Sequence, residues 1–247
     1  MSKERIDKIL SHNGYGSRKD IRRLLRTAEV ILNGKRIFDP GTQFDQDNDS
    51  ITIDGEEVDL HDQIYLMMNK PQHVVSANKD GEHQTVFDLL DDSLRTPYLQ
   101  DKLHLIGRLD MDTEGLLLFT TDGELTHRLI SPKSHISKTY LCKLEHPETK
   151  DHQAEIAKLF EAGIEVGPED KEAGFTCQPA FIKWLDDSTA ELTIYEGKYH
   201  QVKRMFVAVE NKIVYLKRLS MGSLKLDPGL ELGEYKLLDE DDLENLQ

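Results

Sequence analysis

The stretch that decides the fold is Gly107-Arg108-Leu109-Asp110-Met111-Asp112-Thr113-Glu114-Gly115, which leads directly into Leu116-Leu117-Leu118-Phe119. Four consecutive large apolar residues predict a buried strand, and the Gly- and Asp-rich residues before them predict a tight turn. Asp110 is ionised at neutral pH, and a nearby cation such as Arg108 would favour that state further. The stretch therefore fits a nucleophile at an active-site turn, while an Asp that only accepts backbone hydrogen bonds fits the same residues.

The segments around this turn alternate between strand and helix patterns. An apolar run that ends at Asn69-Lys70-Pro71 predicts a strand stopped by the proline. Strands are predicted at 64–68, 116–120, 139–144, 181–185, 191–195 and 213–217, and helices near 123–130, 151–160 and 200–209. Because strands often follow one another without a helix between them, we expect an α+β fold with a mixed, mainly antiparallel sheet flanked by helices.

Composition excludes several classes of protein. The chain has 247 residues, 38% of them hydrophobic, which suits one medium domain plus a smaller one. No apolar run approaches the ~20 residues of a membrane span, and the first residues lack a signal core, so we expect a cytoplasmic protein. Cys142 and Cys177 are the only cysteines, too few for a disulfide framework and not spaced as metal ligands. They are predicted to be buried thiols without a role.

The N-terminal segment has its own pattern. Ser17 with Asp20 predicts a capped helix, and Asn33-Gly34 predicts the type I′ turn of a hairpin. We therefore place a small α/β module and a linker at 1–60, and a larger domain at 61–247.

Charge is distributed unevenly between these two parts. The net charge is −15, yet ten basic and only four acidic residues occur up to Ile37. Such a basic head on an acidic body is typical of nucleic-acid binding, although a solvated helix rich in arginine gives the same pattern. The residues expected to contact RNA are Ser17, Arg18, Lys19, Arg22, Arg23, Arg26, Lys35 and Arg36.

Two further motifs carry candidate site residues. Lys138-Thr139-Tyr140 opens a predicted strand with a cation and an aromatic ring. The segment 196–206 turns at Gly197 into a helix that carries Lys203 and Arg204 beside its apolar face. With Lys198 and His200, these charges either hold an anion or are solvated.

The three motifs, in this order, resemble those of the pseudouridine synthases and, in detail, the ribosomal small-subunit pseudouridine synthase A family. The third motif includes Leu192-Thr193-Ile194 and His200-Gln201-Val202-Lys203-Arg204-Met205. The first quarter of the chain resembles an S4 RNA-binding domain through Ser17-Arg18-Lys19 and the 30–36 hairpin.

This resemblance implies isomerisation of a uridine in 16S ribosomal RNA by a monomer that needs no metal or organic cofactor. The RNA would be free or within a partly assembled small subunit. Asp110 would attack C1′ or C6, Tyr140 would stack on the extruded base, and Lys203 would keep Asp110 ionised. Many relatives carry Arg where Lys203 stands, and Lys lacks the planar fork for bidentate pairing. The implied substrate-binding residues are Arg108, Leu192, His200, Gln201 and Arg204, with Leu192 as an apolar wall, and Asp112 would brace the turn.

Three alternatives stay open. One is a pseudouridine synthase that acts on 23S ribosomal RNA. Another is a non-catalytic S4-domain RNA-binding or ribosome-assembly factor, for which the basic head would suffice. The third is a metal-dependent hydrolase that uses Asp110, Asp112 and Asp122 as carboxylate ligands.

Overall fold

The computed structural model describes residues 3–45, 48–58, 60, 63–95, 97–131 and 134–246. The strands are β1 (Glu4–Arg5), β2 (Val30–Leu32), β3 (Lys35–Arg36), β4 (Gln43–Phe44), β5 (Ile51–Ile53), β6 (Glu56–Glu57), β7 (Tyr65–Lys70), β8 (His104–Ile106), β9 (Thr113–Thr120), β10 (Lys138–Leu144), β11 (Glu165–Val166), β12 (Phe175–Thr176), β13 (Phe181–Trp184), β14 (Thr189–Ile194), β15 (Ile213–Met221), β16 (Leu224–Lys225) and β17 (Tyr235–Leu237). The helices are α1 (Ile6–His12), α2 (Arg18–Thr27), α3 (Pro97–Gln100), α4 (Gly123–Ile130), α5 (Lys150–Ala162), α6 (Gln201–Val207) and α7 (Glu240–Glu244), with 3-10 helices at Val86–Leu89 and Asp92–Leu94.

The N-terminal module packs α1 and α2 with a small sheet of order β3-β2-β5-β6. Asp20 and Ser17 form the predicted capping box at the start of α2. Asn33 and Gly34 both have positive φ, 48° and 74°, which confirms the hairpin turn between β2 and β3. The module has an apolar cluster of its own, which includes Ile6, Leu25 and residues of β2 and β5.

The larger part is built on a sheet of order β13-β14-β10-β15-β9-β7-β17, with β8 paired to β9 and β16 to β15. Its neighbouring strands are antiparallel except for β15 and β9, which run parallel. The sheet is therefore mixed and mainly antiparallel, as expected from the sequence. Gly115 (φ 103°) lies where β9 meets β15, and a Cβ there would come within 2.2 Å of the Arg218 carbonyl oxygen.

Both faces of β9 are buried, which explains its unbroken apolar sequence. Leu117 and Phe119 belong to one apolar cluster, together with Tyr140 of β10 and residues of α5 and α6. Leu116 and Leu118 belong to another, covered by α4. This double burial anchors β9 and fixes the position of the turn that precedes it.

Some elements differ from the sequence prediction. The strand predicted at 213–217 continues to Met221, and β8, β16 and β17 were not predicted. The acidic C-terminal segment forms α7, and Leu243 and Leu246 pack in the apolar cluster that contains residues of α4. Within the described part of the chain, no helix combines the length and apolarity needed to cross a membrane.

Candidate active site

The turn before β9 is held by side chains from outside it. The Ser76 hydroxyl donates to the Leu109 carbonyl (2.6 Å) and accepts from the Leu109 N–H (3.2 Å). Within the turn, the Thr113 N–H donates to the Asp110 carbonyl at 3.1 Å. The backbone on both sides of the Asp110 side chain is therefore fixed, and the carboxylate has a defined direction.

Lys70, the last residue of β7, binds the backbone of this turn. Its side chain is fully buried, and Nζ donates to the carbonyls of Pro71, Asp110 and Thr113, each at 3.0 Å. Burial lowers the pKa of Lys70 to about 8, although the carboxylates of Asp110 and Asp112 act to raise it. Sequence reasoning missed this residue; a Lys within a buried strand is the signal that could have found it.

The carboxylate of Asp110 is paired with Lys203 of α6. Lys203 Nζ lies 2.8 Å from Asp110 Oδ2 and 2.6 Å from Asp112 Oδ1, so one ammonium bridges two carboxylates. Burial lowers the pKa of Lys203, but its hydrogen bonds to the two carboxylates outweigh this and raise it. Burial also acts to raise the pKa of Asp112, and the hydrogen bond from Lys203 lowers it overall. The arrangement favours an ionised Asp112 beside a charged Lys203, which also contacts Asp110.

Two sequence expectations change here. Arg108 was considered as the cation that favours ionised Asp110, but it is exposed and forms no ion pair with the residues that the structure describes. Asp112 was expected to brace the turn, and its side chain instead accepts from Lys203. The cation beside Asp110 is Lys203 of α6, the residue that the resemblance implied.

His200 approaches Asp110 from another side. Its Nε2 lies 3.8 Å from Asp110 Oδ2, and its Nδ1 lies 3.2 Å from Glu169 Oε2. The residue has a left-handed backbone (φ 48°) immediately before α6, and its ring stacks on Tyr199 with a centroid distance of 3.8 Å. The imidazole is thus held between two carboxylates at the edge of the site.

These side chains surround a cavity of about 80 Å³. Its lining includes Arg108, Asp110, Tyr140, Ile194, His200, Gln201 and Lys203. Tyr140 is only 7% exposed, and its strand neighbours Lys138 and Arg218 lie next to a second cavity that adjoins the first. An ionised carboxylate, its counter-cation and an aromatic ring therefore meet in one small space, which suits nucleophilic attack on a planar ring or its attached sugar.

Residues 64–208 match the family model described as RNA pseudouridylate synthase. The chain belongs to the RNA pseudouridine synthase family. It is 45% identical to "Uncharacterized RNA pseudouridine synthase YtzG" of Bacillus subtilis (strain 168), over 97% of this chain and 96% of the relative. It is 38% identical to "Ribosomal small subunit pseudouridine synthase A" of Haemophilus influenzae (strain ATCC 51907 / DSM 11121 / KW20 / Rd), over 98% of this chain and 99% of the relative.

A solved structure gives the same assignment. The crystal structure of a pseudouridylate synthase is 38% identical in sequence, covers 98% of this chain and 99% of its own, and superposes with a TM-score of 0.66. The α+β fold expected from the succession of strands and the enzyme class expected from the three motifs are both confirmed, and this synthase is an isomerase.

Two residues expected to bind substrate in this pseudouridine synthase do not line the Asp110 cavity. Leu192 is fully buried in the core directly opposite Tyr140 on β14, and the β14 residue at the cavity is Ile194. Arg204 is 5% exposed, and its Nη2 donates to the carbonyls of Gly167 (2.6 Å) and Ala173 (2.7 Å). Arg204 follows Lys203 on α6, so its side chain points about 100° away from it.

Gln201 lines the cavity of the synthase, but its amide is engaged elsewhere. Its Nε2 donates to Glu196 Oε1 at 2.7 Å, and its Oε1 accepts from the Lys198 N–H at 3.1 Å. This side chain therefore fixes the turn between β14 and α6.

The basic residues of the N-terminal module lie at the surface of the synthase. The arginines and lysines expected to contact RNA are all exposed: Arg18, Lys19, Arg22, Arg23, Arg26, Lys35 and Arg36. Ser17 differs from them, because its hydroxyl forms the cap of α2 with Asp20. The Arg36 guanidinium lies 5.0 Å from the centre of the Phe38 ring.

The alternative of a metal-dependent hydrolase is not supported by this geometry. Asp122 caps α4 by accepting from the N–H groups of Glu124 and Leu125, so it is not joined to Asp110 and Asp112. Across the whole part of the chain that the structure describes, no three or more potential metal-ligating side chains lie together. Cys142 and Cys177 are buried and free, as predicted.

Proposed function

We propose that this pseudouridine synthase converts a uridine of 16S ribosomal RNA to pseudouridine with Asp110 as the nucleophile. The observation that carries the proposal is the 2.8 Å contact between Lys203 Nζ and Asp110 Oδ2 inside the cavity lined by Tyr140. In the reaction, the bond from N1 to C1′ breaks, the uracil turns, and C5 bonds to C1′. The C5 proton is released and N1 gains a proton, so the product is an isomer.

Asp110 starts the reaction by attacking either C1′ of the ribose or C6 of the uracil. Either attack requires an ionised carboxylate, and the positive charge of Lys203 favours that form. Because Lys203 holds Oδ2 of Asp110, the other carboxylate oxygen, Oδ1, is left to attack. Lys70 contributes through the backbone, because its hydrogen bonds to the carbonyls of Asp110 and Thr113 keep the turn rigid. The carboxylate is thus preorganised before RNA binds.

Tyr140 provides the surface for the base. A uridine stacked in RNA must be extruded before its glycosidic bond can be reached, and an aromatic face offsets part of the lost stacking. Arg108 is exposed and lines the cavity, a position suited to a phosphate or to the gap that the extruded base leaves. Ile194 supplies the apolar wall that was expected from Leu192.

The N-terminal module acts as an S4-type RNA-binding domain over residues 1–60, joined to a catalytic domain at 61–247. Its separate apolar cluster supports the division. Its exposed cations on α2 and in the β2–β3 hairpin support contacts with phosphates, which bind RNA without specifying a base. The partner is ribosomal RNA, free or within a partly assembled small subunit, in the cytoplasm.

The choice of the small subunit rests on the relatives. The relative from Haemophilus influenzae and one from Vibrio cholerae serotype O1 (strain ATCC 39315 / El Tor Inaba N16961), 39% identical over 98% of this chain, are both named for the small ribosomal subunit. Activity on 23S ribosomal RNA is the alternative within the same reaction class. A purely binding role does not account for the paired Asp110 and Lys203.

Release of tritium from C5-labelled uridine tests this function. The labelled substrates are 16S and 23S ribosomal RNA, each free and with ribosomal proteins bound. The proposal predicts release from a 16S substrate and none above background from 23S. Release from 23S alone would move the target to the large subunit, and tight binding without release from any substrate would contradict an isomerase role.

A further inference from the structure

A second cavity, of about 210 Å³, adjoins the Asp110 cavity. The two share Arg108, Tyr140, Gly197 and Lys198, but neither Asp110 nor Lys203 lines the second one. Lys138 and Arg218 line it instead. Lys138 precedes Tyr140 by two residues on β10, and Arg218 is the Cα partner of Tyr140 on β15. Residues two apart on a strand, and residues paired across strands, share one face of a sheet, so both cations flank the Tyr140 ring.

Arg218 is buried without a full set of acceptors. The residue is 1% exposed, and its Nε donates to the Leu116 carbonyl at 2.7 Å. Its Nη2 is buried and has no hydrogen-bond partner among the described residues. A guanidinium carries five N–H donors, and leaving a buried charged donor unsatisfied is costly. The structure therefore offers a fixed cationic donor at this cavity.

Lys138 adds a second cation at the same place. The side chain is half-buried, and its Nζ donates to the Ile136 carbonyl at 3.1 Å. Burial, and to a smaller extent the positive charge of Arg218, lowers the pKa of Lys138 to about 8. Neither residue forms an ion pair within the part of the chain that the structure describes. An anion between them would stabilise both charges.

The carboxylate that lines this cavity has other partners. Glu196 Oε1 accepts from the Gln178 N–H (2.8 Å) and from Gln201 Nε2 (2.7 Å). Glu196 Oε2 lies 3.3 Å from Lys198 Nζ. Glu196 is thus neutralised by its own contacts, and the charge of Lys138 and Arg218 is left uncompensated.

We propose that this cavity is a phosphate-binding subsite in which Lys138 and Arg218 hold a phosphodiester of the RNA next to the nucleoside stacked on Tyr140. The inference rests on the proposed function, because it takes RNA as the occupant of the adjoining cavity. Phosphate suits these donors because guanidinium groups bind its oxygens in a bidentate manner and lysine adds a point charge. The subsite would fix the extruded nucleotide through its backbone while Asp110 acts on it.

The first test replaces Lys138 with Gln and follows binding of 16S ribosomal RNA as salt is varied. Loss of one phosphate contact is expected to reduce the slope of log K against log salt by about 0.7. KM is expected to rise about tenfold with little change in kcat, because a phosphate contact positions the substrate. The matched control is Lys143→Gln, which removes an exposed lysine from the same strand and should leave both quantities unchanged.

Arg218→Lys is the second variant, since it keeps the charge but loses the planar donor. Its KM is also expected to rise, and a denaturant titration checks that the variant is folded. Inorganic phosphate is tested as a competitor at constant ionic strength. Competition by phosphate together with an unchanged slope for Lys138→Gln would assign the cavity to a free anion and overturn the proposal.

The readouts separate the two levels of inference. A reduced slope for Lys138→Gln with no turnover of any uridine by the wild type would retain the phosphate subsite and refute the proposed function. Turnover of uridine by the wild type, with an unchanged salt slope and KM for Lys138→Gln, would retain the proposed function and refute the phosphate subsite.

Discussion

The N-terminal module and the Asp110 cavity both carry cations, but they place them differently. On α2 and the β2–β3 hairpin, the arginines and lysines are exposed. At the cavity, Lys70 is fully buried against backbone carbonyls, and Lys203 bridges two carboxylates. Each exposed cation contributes a small interaction that salt screens, so the total depends on how many cations there are. A buried cation interacts strongly with the particular groups beside it, so its effect depends on its position. A single replacement should therefore matter little in the module and greatly at the cavity.

The largest effect is expected for Asp110→Asn. Loss of the proposed nucleophile should lower the rate by about 10⁴-fold or more, while RNA affinity and unfolding stability change little. Asp112→Asn is the matched control, because it removes the other carboxylate held by Lys203. It should cost about tenfold or less, since one hydrogen bond to Lys203 remains. Tritium release measures the rate of each variant. Equal losses of rate in the two variants would contradict a distinct role for Asp110, because the two carboxylates would then act as one unit.

Lys203→Met should have the next largest effect. Without the ammonium, two neighbouring carboxylates repel each other, so the pKa of Asp112 should rise and the rate should fall about 10²- to 10³-fold. Lys203→Arg keeps the charge and should stay within about tenfold of the wild type. Single-turnover rates across a pH series test this. A Met variant with a normal rate would show that the pairing is only structural.

Charge reversal in the module should act on binding alone. Arg22→Glu with Arg26→Glu should weaken RNA binding about tenfold or more near 0.1 M salt, with a shallower dependence on salt. The loss should be greater at low salt, where the wild type benefits most from its phosphate contacts. Lys183→Glu, an exposed change on β13, is the control. Equal weakening by the control would mean that overall charge, and not the module, governs affinity.

The smallest effect concerns stability and pH. In the folded protein the pKa of Lys70 is about 8, below its usual 10.5, so between these values the unfolded chain binds more protons. Stability contributed through Lys70 therefore increases as the pH rises through 8. Relative to Lys70→Met, the wild type should gain stability between about pH 7.5 and about pH 9.5, as measured by urea unfolding. A difference that does not vary with pH would contradict a depressed pKa.

Local patterns in the sequence predicted the local structure well. The Asn33-Gly34 hairpin, the Ser17 cap and the buried strand after Asp110 each depend on neighbouring residues, and each was found. The fold class followed from strands that succeed one another without a helix between them, and the reaction followed from the order of three motifs.

Contacts between distant residues were less predictable. Lys203 and Asp110 are 93 residues apart, and their pairing was expected only from the resemblance. That Lys203 also holds Asp112 and that Lys70 binds the turn depend on how β7, β9 and α6 meet. That Arg204 faces backbone carbonyls depends on how α6 meets the segment between β11 and β12. The only local signal among these was a lysine within a buried strand at Lys70, and even that signal does not name the carbonyls that the lysine binds.

The most direct test of the account measures two variants side by side on the same 16S ribosomal RNA. For Asp110→Asn and for the Arg22→Glu, Arg26→Glu variant, the dissociation constant and the single-turnover rate at saturating protein are both determined. The account predicts that the first variant loses the rate and keeps the affinity, and that the second loses affinity and keeps the rate. Turnover by Asp110→Asn, or a lost rate at saturation in the module variant, would contradict it.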